Sequence, residues 1–241
     1  MTSLPVLDLQ TSFLQQPLVW VTLTVLAYLG SRWLYQRSGA NPFVLPIFTS
    51  VLALVCVLLA TGTPYPVYAE GTRLLQFFIG PATVALAIPL YGQLGALRRV
   101  WLPITAALVA GCVTAIAAAV SIAWLFGGSR SILLSLAPKS ATMPIAMPLA
   151  EQMGGVASLA AVAVAVTGIS GVMMAPTLFR LMGITDPRVR GFAVGMAAHA
   201  IGTARAIQVS DTAAAFSALA MGLNGIATAI LLPFLAWLLA R

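Results

Sequence analysis

Long apolar runs that hold almost no charged residue constrain the fold of this chain most strongly. Residues 101–126 contain no charged side chain, and comparable runs cover residues 17–35, 156–178, 213–239 and a shorter stretch that follows Pro42 and ends near Thr61. A helix that spans a bilayer needs about 20 mostly apolar residues. Only 7% of the 241 residues are charged, whereas about a quarter are charged in a soluble domain. The sequence therefore predicts an all-α, polytopic transmembrane protein that forms one integral membrane domain over residues 1–241.

Two further apolar segments are interrupted by prolines. Residues 74–95 contain two of them and residues 131–152 contain three: Pro81, Pro89, Pro138, Pro144 and Pro148. Proline lacks a backbone donor and disrupts a helix. Irregular backbone at membrane depth is tolerated only where protein or a water-filled cavity surrounds it. We therefore expect both segments to be broken or re-entrant.

The two proline-containing segments also form an internal repeat. Residues 82–95, ATVALAIPLYGQLG, match residues 141–154, ATMPIAMPLAEQMG, at seven of fourteen positions. The shared Ala-Thr, Pro-Leu, Gln and Gly are not generic apolar matches. Broken helices in corresponding parts of a chain indicate the binding site of a transporter.

The basic residues leave two membrane topologies open. They lie scattered between apolar runs, so we interpret them as orientation charges on loops and expect no nucleic-acid partner. In one topology residues 74–95 cross, residues 131–152 re-enter and the N-terminus is outside. In the other, both segments re-enter from opposite faces and the N-terminus is inside. Both topologies place Arg180, Arg188 and Arg190 on the inside.

Lys139 is the first candidate for contact with a solute. It lies between Pro138 and Ser140, three residues before Thr142, inside a proline-interrupted segment. Backbone donors, hydroxyl groups and a cation would converge there, and exposed helix N-termini favour anions. The alternative is that Lys139 snorkels to the lipid headgroups. Ionisable residues within spans are costly, so the pattern favours a small anion bound by Lys139, Ser140 and Thr142.

A second polar segment, residues 191–207, contains His199, Thr203 and Arg205. A guanidinium grips a carboxylate in bidentate fashion, so Arg205 is a candidate for the same anion. Its alternative is a loop-end charge at the membrane surface. His199 either packs with a hydrogen bond or titrates near neutral pH and couples protons to transport. We assign His199, Thr203 and Arg205 to the same substrate-binding set as Lys139, Ser140 and Thr142.

Three other polar residues are candidates for pairing or coupling. Glu151 is the sole carboxylate of residues 131–152, and it pairs with Lys139 or Arg205, carries a proton, or caps a short helix. Thr83 and Asn224 also belong to this set, although the commonest role of such residues is hydrogen bonding between helices.

Enzyme chemistry has little support in the sequence. The chain has one His, no metal-ligand cluster, no glycine-rich phosphate loop and no Ser/His/Asp set. These are the patterns that catalytic and cofactor sites require. We therefore expect a protein that is not an enzyme, with no catalytic residue, no metal and no cofactor.

Three strings carry a resemblance to a known family: PATVALAIPLYGQ, SLAPKSATMPIAMPLAEQMGG and GFAVGMAAHAIGTARA. They resemble the LrgB/CidB family, the larger membrane component of bacterial holin/antiholin-like systems. Residues 138–146 fit the family pattern Pro-Lys-Ser-x-Thr-x-Pro-Ile-Ala, and residues 197–205 fit Ala-Ser-His-x-x-Gly-Thr-Ala-Arg. Ala198 departs from the frequent serine of the second pattern and removes a hydroxyl group. The resemblance covers nearly the whole chain from about residue 20.

The resemblance implies two alternative functions. Members of the family are linked to murein hydrolase export and cell lysis, and they are encoded beside a smaller holin-like partner of the LrgA/CidA type. Plastid relatives look like glycolate/glycerate translocators, and bacterial members have been tied to pyruvate uptake. We expect a multi-pass, homo-oligomeric protein of the bacterial cytoplasmic (inner) membrane that transports a small carboxylate. The alternative is an antiholin-like modulator of lysis that acts with a holin-like partner.

Overall fold

The computed structural model describes residues 16–39, 44–85 and 87–239, apart from the side chains at 79, 80, 82, 83, 87, 89, 90 and 236–239. Within this part of the chain the secondary structure is helical and contains no strand, which confirms the predicted all-α class. Thr83 lies in a helix, but its side chain is outside the described part. Its pairing or coupling role therefore stays a prediction.

The described residues form twelve helices. In chain order these are α1 Pro17–Arg37, α2 Pro46–Thr61, α3 Tyr65–Gly71, α4 Arg73–Ala85, α5 Ala87–Gly92, α6 Leu94–Arg99, α7 Trp101–Leu125, α8 Arg130–Leu136, α9 Met143–Gln152, α10 Ala157–Leu181, α11 Pro187–Ile207 and α12 Asp211–Leu239.

Four of these helices are long and apolar enough to cross a membrane: α1, α7, α10 and the first 25 residues of α12. They coincide with four of the five uninterrupted apolar runs of the sequence. The fifth run, which was expected to be an ordinary span and ends at Thr61, forms the 16-residue helix α2, which is shorter than the four long spans. Large apolar side chains lie exposed along them, among them Val109 on α7, Val166 on α10 and Ile230 on α12. Lipid tails can cover such a surface, because a membrane helix meets no water in the hydrocarbon core. The fold is that of a polytopic helical membrane protein.

The described residues between 16 and 85 form one compact unit. Within it α1 packs mainly against α2 and also contacts α3 and α4. Trp20 on α1 is fully buried, and its ring meets Tyr68 edge to face at 5.6 Å. A Cβ atom at Gly71 would lie 2.6 Å from the Trp20 ring, so this close packing of α1 on α3 requires a glycine.

The first proline-containing segment, residues 74–95, is divided among three helices. Pro81 lies inside α4, so this proline does not end the helix. A proline inside a helix removes one backbone hydrogen bond and disturbs the preceding turn, a cost that α4 tolerates. The rest of the segment belongs to the short helices α5 and α6, which are separated by a turn at Gln93.

The described residues from 87 to 239 form the second compact unit. Its most extensive contact is between α11 and α12. Gly191 and Gly195 of α11 lie against the backbone of Ala213 and Ser217 of α12, where a Cβ atom would collide with a carbonyl oxygen. Small residues allow membrane helices to approach closely. Gly195 follows Gly191 by four residues on α11, just as Ser217 follows Ala213 on α12, so this part of α11 runs parallel to α12.

The predicted break within residues 131–152 is present in this unit. A turn over residues 137–142 separates α8 from α9. Pro138 lies in that turn. Pro144 occupies the first turn of α9, where its missing N–H would have no partner in the helix. Pro148 lies inside α9, so one of the three prolines accounts for the break.

A second break occurs in α11, which folds back on itself at His199. The backbone of His199 has φ 41° and ψ −128°, outside the helical region. Gly202 lies against the carbonyl oxygen of Val194, which is eight residues earlier. Arg190 and Arg205 line one cavity, although a straight helix would hold them about 22 Å apart. The break divides α11 into two arms, residues 187–198 and residues 200–207.

Candidate solute-binding site

The second unit contains two broken segments: residues 130–152, with the first break at residues 137–142, and α11, with the second break at His199. They adjoin opposite ends of α10. α8 and α9 precede the first residue of α10, and α11 follows its last residue. α10 has 25 residues and is therefore about 37 Å long. Ala141 and Ala146 of the first break pack against the side chain of Val164 in α10. The carbonyl oxygen of Val164 lies 3.0 Å from Nε2 of His199 in the second break. The two breaks therefore meet at the same level of α10.

Asn224 of α12 connects the two breaks. Its side chain is 1% exposed, and Nδ2 donates to the carbonyl oxygens of Ser140 at 2.8 Å and Met196 at 3.3 Å. Buried backbone carbonyls need a donor, above all where no water is present. Asn224 supplies that donor to one carbonyl from each broken segment. Its Oδ1 atom is buried and has no partner among the described residues.

His199 is held by contacts with α10 and with the second arm of α11. Because a carbonyl oxygen only accepts, Nε2 donates the bond to Val164, and Nε2 carries the proton. A Cβ atom at Gly168 would lie 2.7 Å from Cε1 of His199, so the imidazole fits only because α10 has a glycine there. The hydroxyl of Thr203 donates to the His199 carbonyl at 3.0 Å and lies 3.0 Å from Oγ of Ser217. These contacts fix an unfavourable backbone conformation.

A cavity of about 850 Å³ extends from the first break to the loop before α11. Lys139 and Ser140 line it at the break, and Thr167 and Ser170 of α10 add two hydroxyl groups. The remaining walls come mostly from apolar residues of α7 and α11. Small-molecule sites commonly combine apolar walls with a few convergent polar groups.

Lys139 carries the charge at this site. It is the one lysine in the sequence, and its side chain is half-buried. Within the described part of the chain, no hydrogen-bond acceptor or carboxylate pairs with its ammonium group. A partly buried charge without a partner is unfavourable. The site is therefore suited to an anion that would supply the missing negative charge.

An ion pair lies at the far end of the cavity. Asp186 and Arg188 line it there, and Oδ2 of Asp186 lies 2.6 Å from a terminal nitrogen of Arg188. Asp186 also caps α11, since Oδ1 accepts from the Arg188 amide at 2.8 Å. These bonds from Arg188 lower the pKa of the Asp186 carboxyl below its ordinary value. The pair leaves Lys139 as the unpaired cation among the described residues that line this cavity.

The predicted site residues near the breaks are brought together in part. Ser140 lines the cavity beside Lys139, and its carbonyl accepts from Asn224. Thr142 is the N-cap of α9, where its side chain makes no capping hydrogen bond. His199 and Thr203 belong to the second break. All these residues lie at or next to the level where the two breaks meet.

Arg205 and Glu151 lie elsewhere. Arg205 lines a separate cavity of about 500 Å³, so the expected convergence of Lys139 and Arg205 on one anion is not observed. The reason is the fold-back at His199, which returns Arg205 to the level of Arg190. Glu151 is exposed near the end of α9 and belongs to neither of the two ion pairs that the described residues form.

The site also contains residues that were not predicted from the sequence. Thr167 and Ser170 line the cavity, and Gly168 makes room for His199. The string TGISG, residues 167–171, interrupts an otherwise aliphatic run. Small and hydroxyl-bearing residues that cluster within a membrane helix indicate a close helix contact or a polar cavity. That pattern could have identified this part of α10.

Comparison with known proteins agrees with the motifs. The sequence model of the LrgB-like family matches residues 24–238. The chain is 36% identical to the uncharacterized protein YwbG of Bacillus subtilis strain 168, over 90% of this chain and 96% of that protein. It is 33% identical to the uncharacterized protein YxaC of the same strain, over 92% and 96% of the two chains.

A more distant relative carries a functional name. The antiholin-like protein LrgB of Bacillus mycoides strain KBAB4 is 27% identical to this chain, over 90% of this chain and 94% of that protein. No solved structure matches the chain. Because the family model covers nearly all of the sequence, including both broken segments, this chain belongs to the LrgB-like family.

Proposed function

We propose that this protein carries small carboxylates of the glycolate, glycerate or pyruvate class across the bacterial cytoplasmic membrane. The observation that carries the proposal is the unpaired ammonium of Lys139, which lies in a large cavity at the meeting point of two broken helices. A carboxylate bound there would neutralise this charge. It could also accept hydrogen bonds from the hydroxyl groups of Ser140 and Thr167.

The arrangement of the broken segments supports transport rather than binding alone. Discontinuous helices that meet near the middle of the membrane are typical of secondary transporters, in which one part rocks against the other around a fixed site. Here the segments enter from opposite ends of α10, and Asn224 bonds to both of them. A movement that opens the site to the other side must break or remake these contacts.

The role of His199 in this mechanism is to hold the second break. Its Nε2 atom already donates to Val164, which supports the packing alternative over a freely titrating group. Proton coupling through His199 or Glu151 is a separate hypothesis. Uptake that stays independent of an imposed pH gradient would contradict it.

Uptake into proteoliposomes tests the proposal. Labelled glycolate, glycerate and pyruvate should accumulate with the wild-type protein. The Lys139→Ala variant should need about a 10- to 100-fold higher concentration for half-maximal uptake, because a hydrogen bond to a charged group contributes about 1.5–3 kcal/mol. Arg130→Ala is the matched control, since Arg130 begins the same broken segment, is exposed and does not line the cavity. Wild-type uptake at the rate of empty vesicles would contradict the proposal.

An antiholin-like role is the second candidate, and it is favoured by the name of the Bacillus mycoides relative. In this role the protein would modulate murein hydrolase export and lysis with a small holin-like membrane partner. A comparison of the lysis of cells that carry Lys139→Ala with the lysis of cells that carry the wild type distinguishes the two functions. Lysis unchanged by the variant, together with an absence of carboxylate uptake, would favour the antiholin-like role.

A further inference from the structure

The fold-back of α11 creates a second cavity with a strongly basic lining. Arg180 at the end of α10 and Arg190 and Arg205 from the two arms of α11 all line it, and its volume is about 500 Å³. No carboxylate belongs to its described lining. Guanidinium groups bind the oxygen atoms of carboxylates and phosphates, so a cavity lined by three arginines is suited to an anionic ligand.

The three guanidinium groups differ in how they are held. Arg190 donates from Nε to the carbonyl of Ile184 at 2.7 Å, and its guanidinium lies 5.7 Å from the ring centre of Phe179. Arg205 donates to Oε1 of Gln208 at 3.0 Å. Arg180 is exposed. Two of the three groups are thus oriented by the protein, and a planar guanidinium that is held in place binds phosphate oxygens in bidentate fashion.

Much of the remaining cavity lining is apolar. It includes Val172, Ala175 and Pro176 of α10 and Val194 of α11. Basic pockets between membrane helices bind the headgroups of anionic lipids, and apolar lining can contact the adjoining acyl chain. Both topologies that fit the basic residues place Arg180 and Arg190 on the inside, where the surface of the membrane is negatively charged.

We propose that the cavity lined by Arg180, Arg190 and Arg205 binds a phosphate group, supplied by an anionic phospholipid or by free phosphate. The site is separate from the cavity of Lys139, so the proposal does not rest on carboxylate transport. It gives Arg205 a role at the membrane surface in place of contact with the transported solute.

Lipid binding to the purified full-length chain tests this proposal. Native mass spectrometry in detergent would measure binding of phosphatidylglycerol, with phosphatidylcholine as the zwitterionic control and inorganic phosphate as competitor. We expect phosphatidylglycerol to bind more tightly than phosphatidylcholine. Arg180→Gln and Arg205→Gln should each weaken its binding about fivefold, the factor typical of one basic residue near an anionic surface. The double variant should weaken it about 25-fold if the effects add.

Arg99→Gln is the matched control, since Arg99 is exposed and lines neither of the two cavities. Because Arg180 is exposed, its substitution gives a folded variant on which the test can rest even if Arg205→Gln fails to fold. Binding of inorganic phosphate that is lost with Arg180, without any preference among lipids, would support the site with free phosphate as its ligand. Equal binding of both lipids without phosphate binding, or equal losses for Arg99→Gln and Arg180→Gln, would overturn the proposal.

Discussion

The side-chain amide of Asn224 donates a hydrogen bond to the carbonyl oxygen of Ser140 at 2.8 Å, and this bond ties α12 to the turn that contains Lys139. The same nitrogen reaches the Met196 carbonyl of the second break. One buried side chain thus supports the backbone on both sides of the candidate site. The geometry of the site depends on this contact as much as on Lys139 itself.

Substitution of Asn224 tests this connection. Asn224→Leu removes the donor and should destabilise the protein by about 2 kcal/mol, because two buried carbonyl groups lose their partner. Asn224→Asp should cost more, about 3–5 kcal/mol, since an unpaired carboxylate would face two carbonyl oxygens. Thermal unfolding in detergent measures both values. Equal stability of the Asp variant and the wild type would contradict this role.

At position 199 we expect glycine to destabilise the protein less than alanine does, which reverses the usual order within helices. Within helices, glycine is about 1 kcal/mol less favourable than alanine. At His199 the positive φ favours glycine, so His199→Gly should be more stable than His199→Ala by about 1 kcal/mol. Ala204→Gly, within the second arm, should show the usual loss of stability, about 1 kcal/mol, that glycine causes in a helix. The midpoints of thermal unfolding measure the order of stability of these variants. A His199→Ala variant at least as stable as His199→Gly would contradict the fold-back.

Gly168 should not tolerate a methyl group. Gly168→Ala would place a Cβ atom 2.7 Å from the His199 ring, and overpacking of this kind costs about 1–3 kcal/mol. Gly222→Ala in α12 is the matched control, because a Cβ atom there meets no neighbour within 4 Å. We expect the control to be neutral or slightly stabilising. If both variants unfold at the same temperature, the close contact between α10 and His199 is absent.

The cap at the start of α11 should lose strength in acid. Arg188 lowers the pKa of the Asp186 carboxyl in the folded protein below its ordinary value of 3.8. The stabilisation is therefore fully present above this ordinary value and is lost as the pH falls through the lowered pKa of the folded state. The Asp186→Ala variant should unfold at a lower temperature than the wild type at neutral pH. That difference should shrink below pH 3.8, and a difference that grows in acid would contradict the assigned pairing.

The extent to which the fold could be predicted follows from the range of the interactions involved. The spans α1, α7, α10 and α12 were predictable because apolar length alone determines them. The break before α9 was predictable because Pro138 is a local signal. The fold-back at His199 was not, since the middle of α11 contains no proline and many alanines. Its conformation depends on Gly168 and Asn224, which come from other helices.

The candidate site was predictable to the same degree. Lys139 and Ser140 lie inside a locally broken segment, and the structure places both in one cavity. Arg205 was assigned to the same anion because a guanidinium binds carboxylates well and because Arg205 lies in the same polar segment as His199. The reversal of the chain between them moves Arg205 to another cavity. Proximity along the sequence could not reveal that reversal.

Chemical modification of Lys139 tests the central claim most directly, because it is the one lysine in the sequence. An amine-selective reagent would then modify Lys139 and the α-amine of the purified chain, and the α-amine serves as the internal control. The transported carboxylate, at ten times its half-saturating concentration, should slow modification of Lys139 about tenfold by mass action. It should leave the α-amine unaffected. Modification of Lys139 at an unchanged rate under conditions that saturate uptake would contradict the assignment of Lys139 as the solute-binding cation.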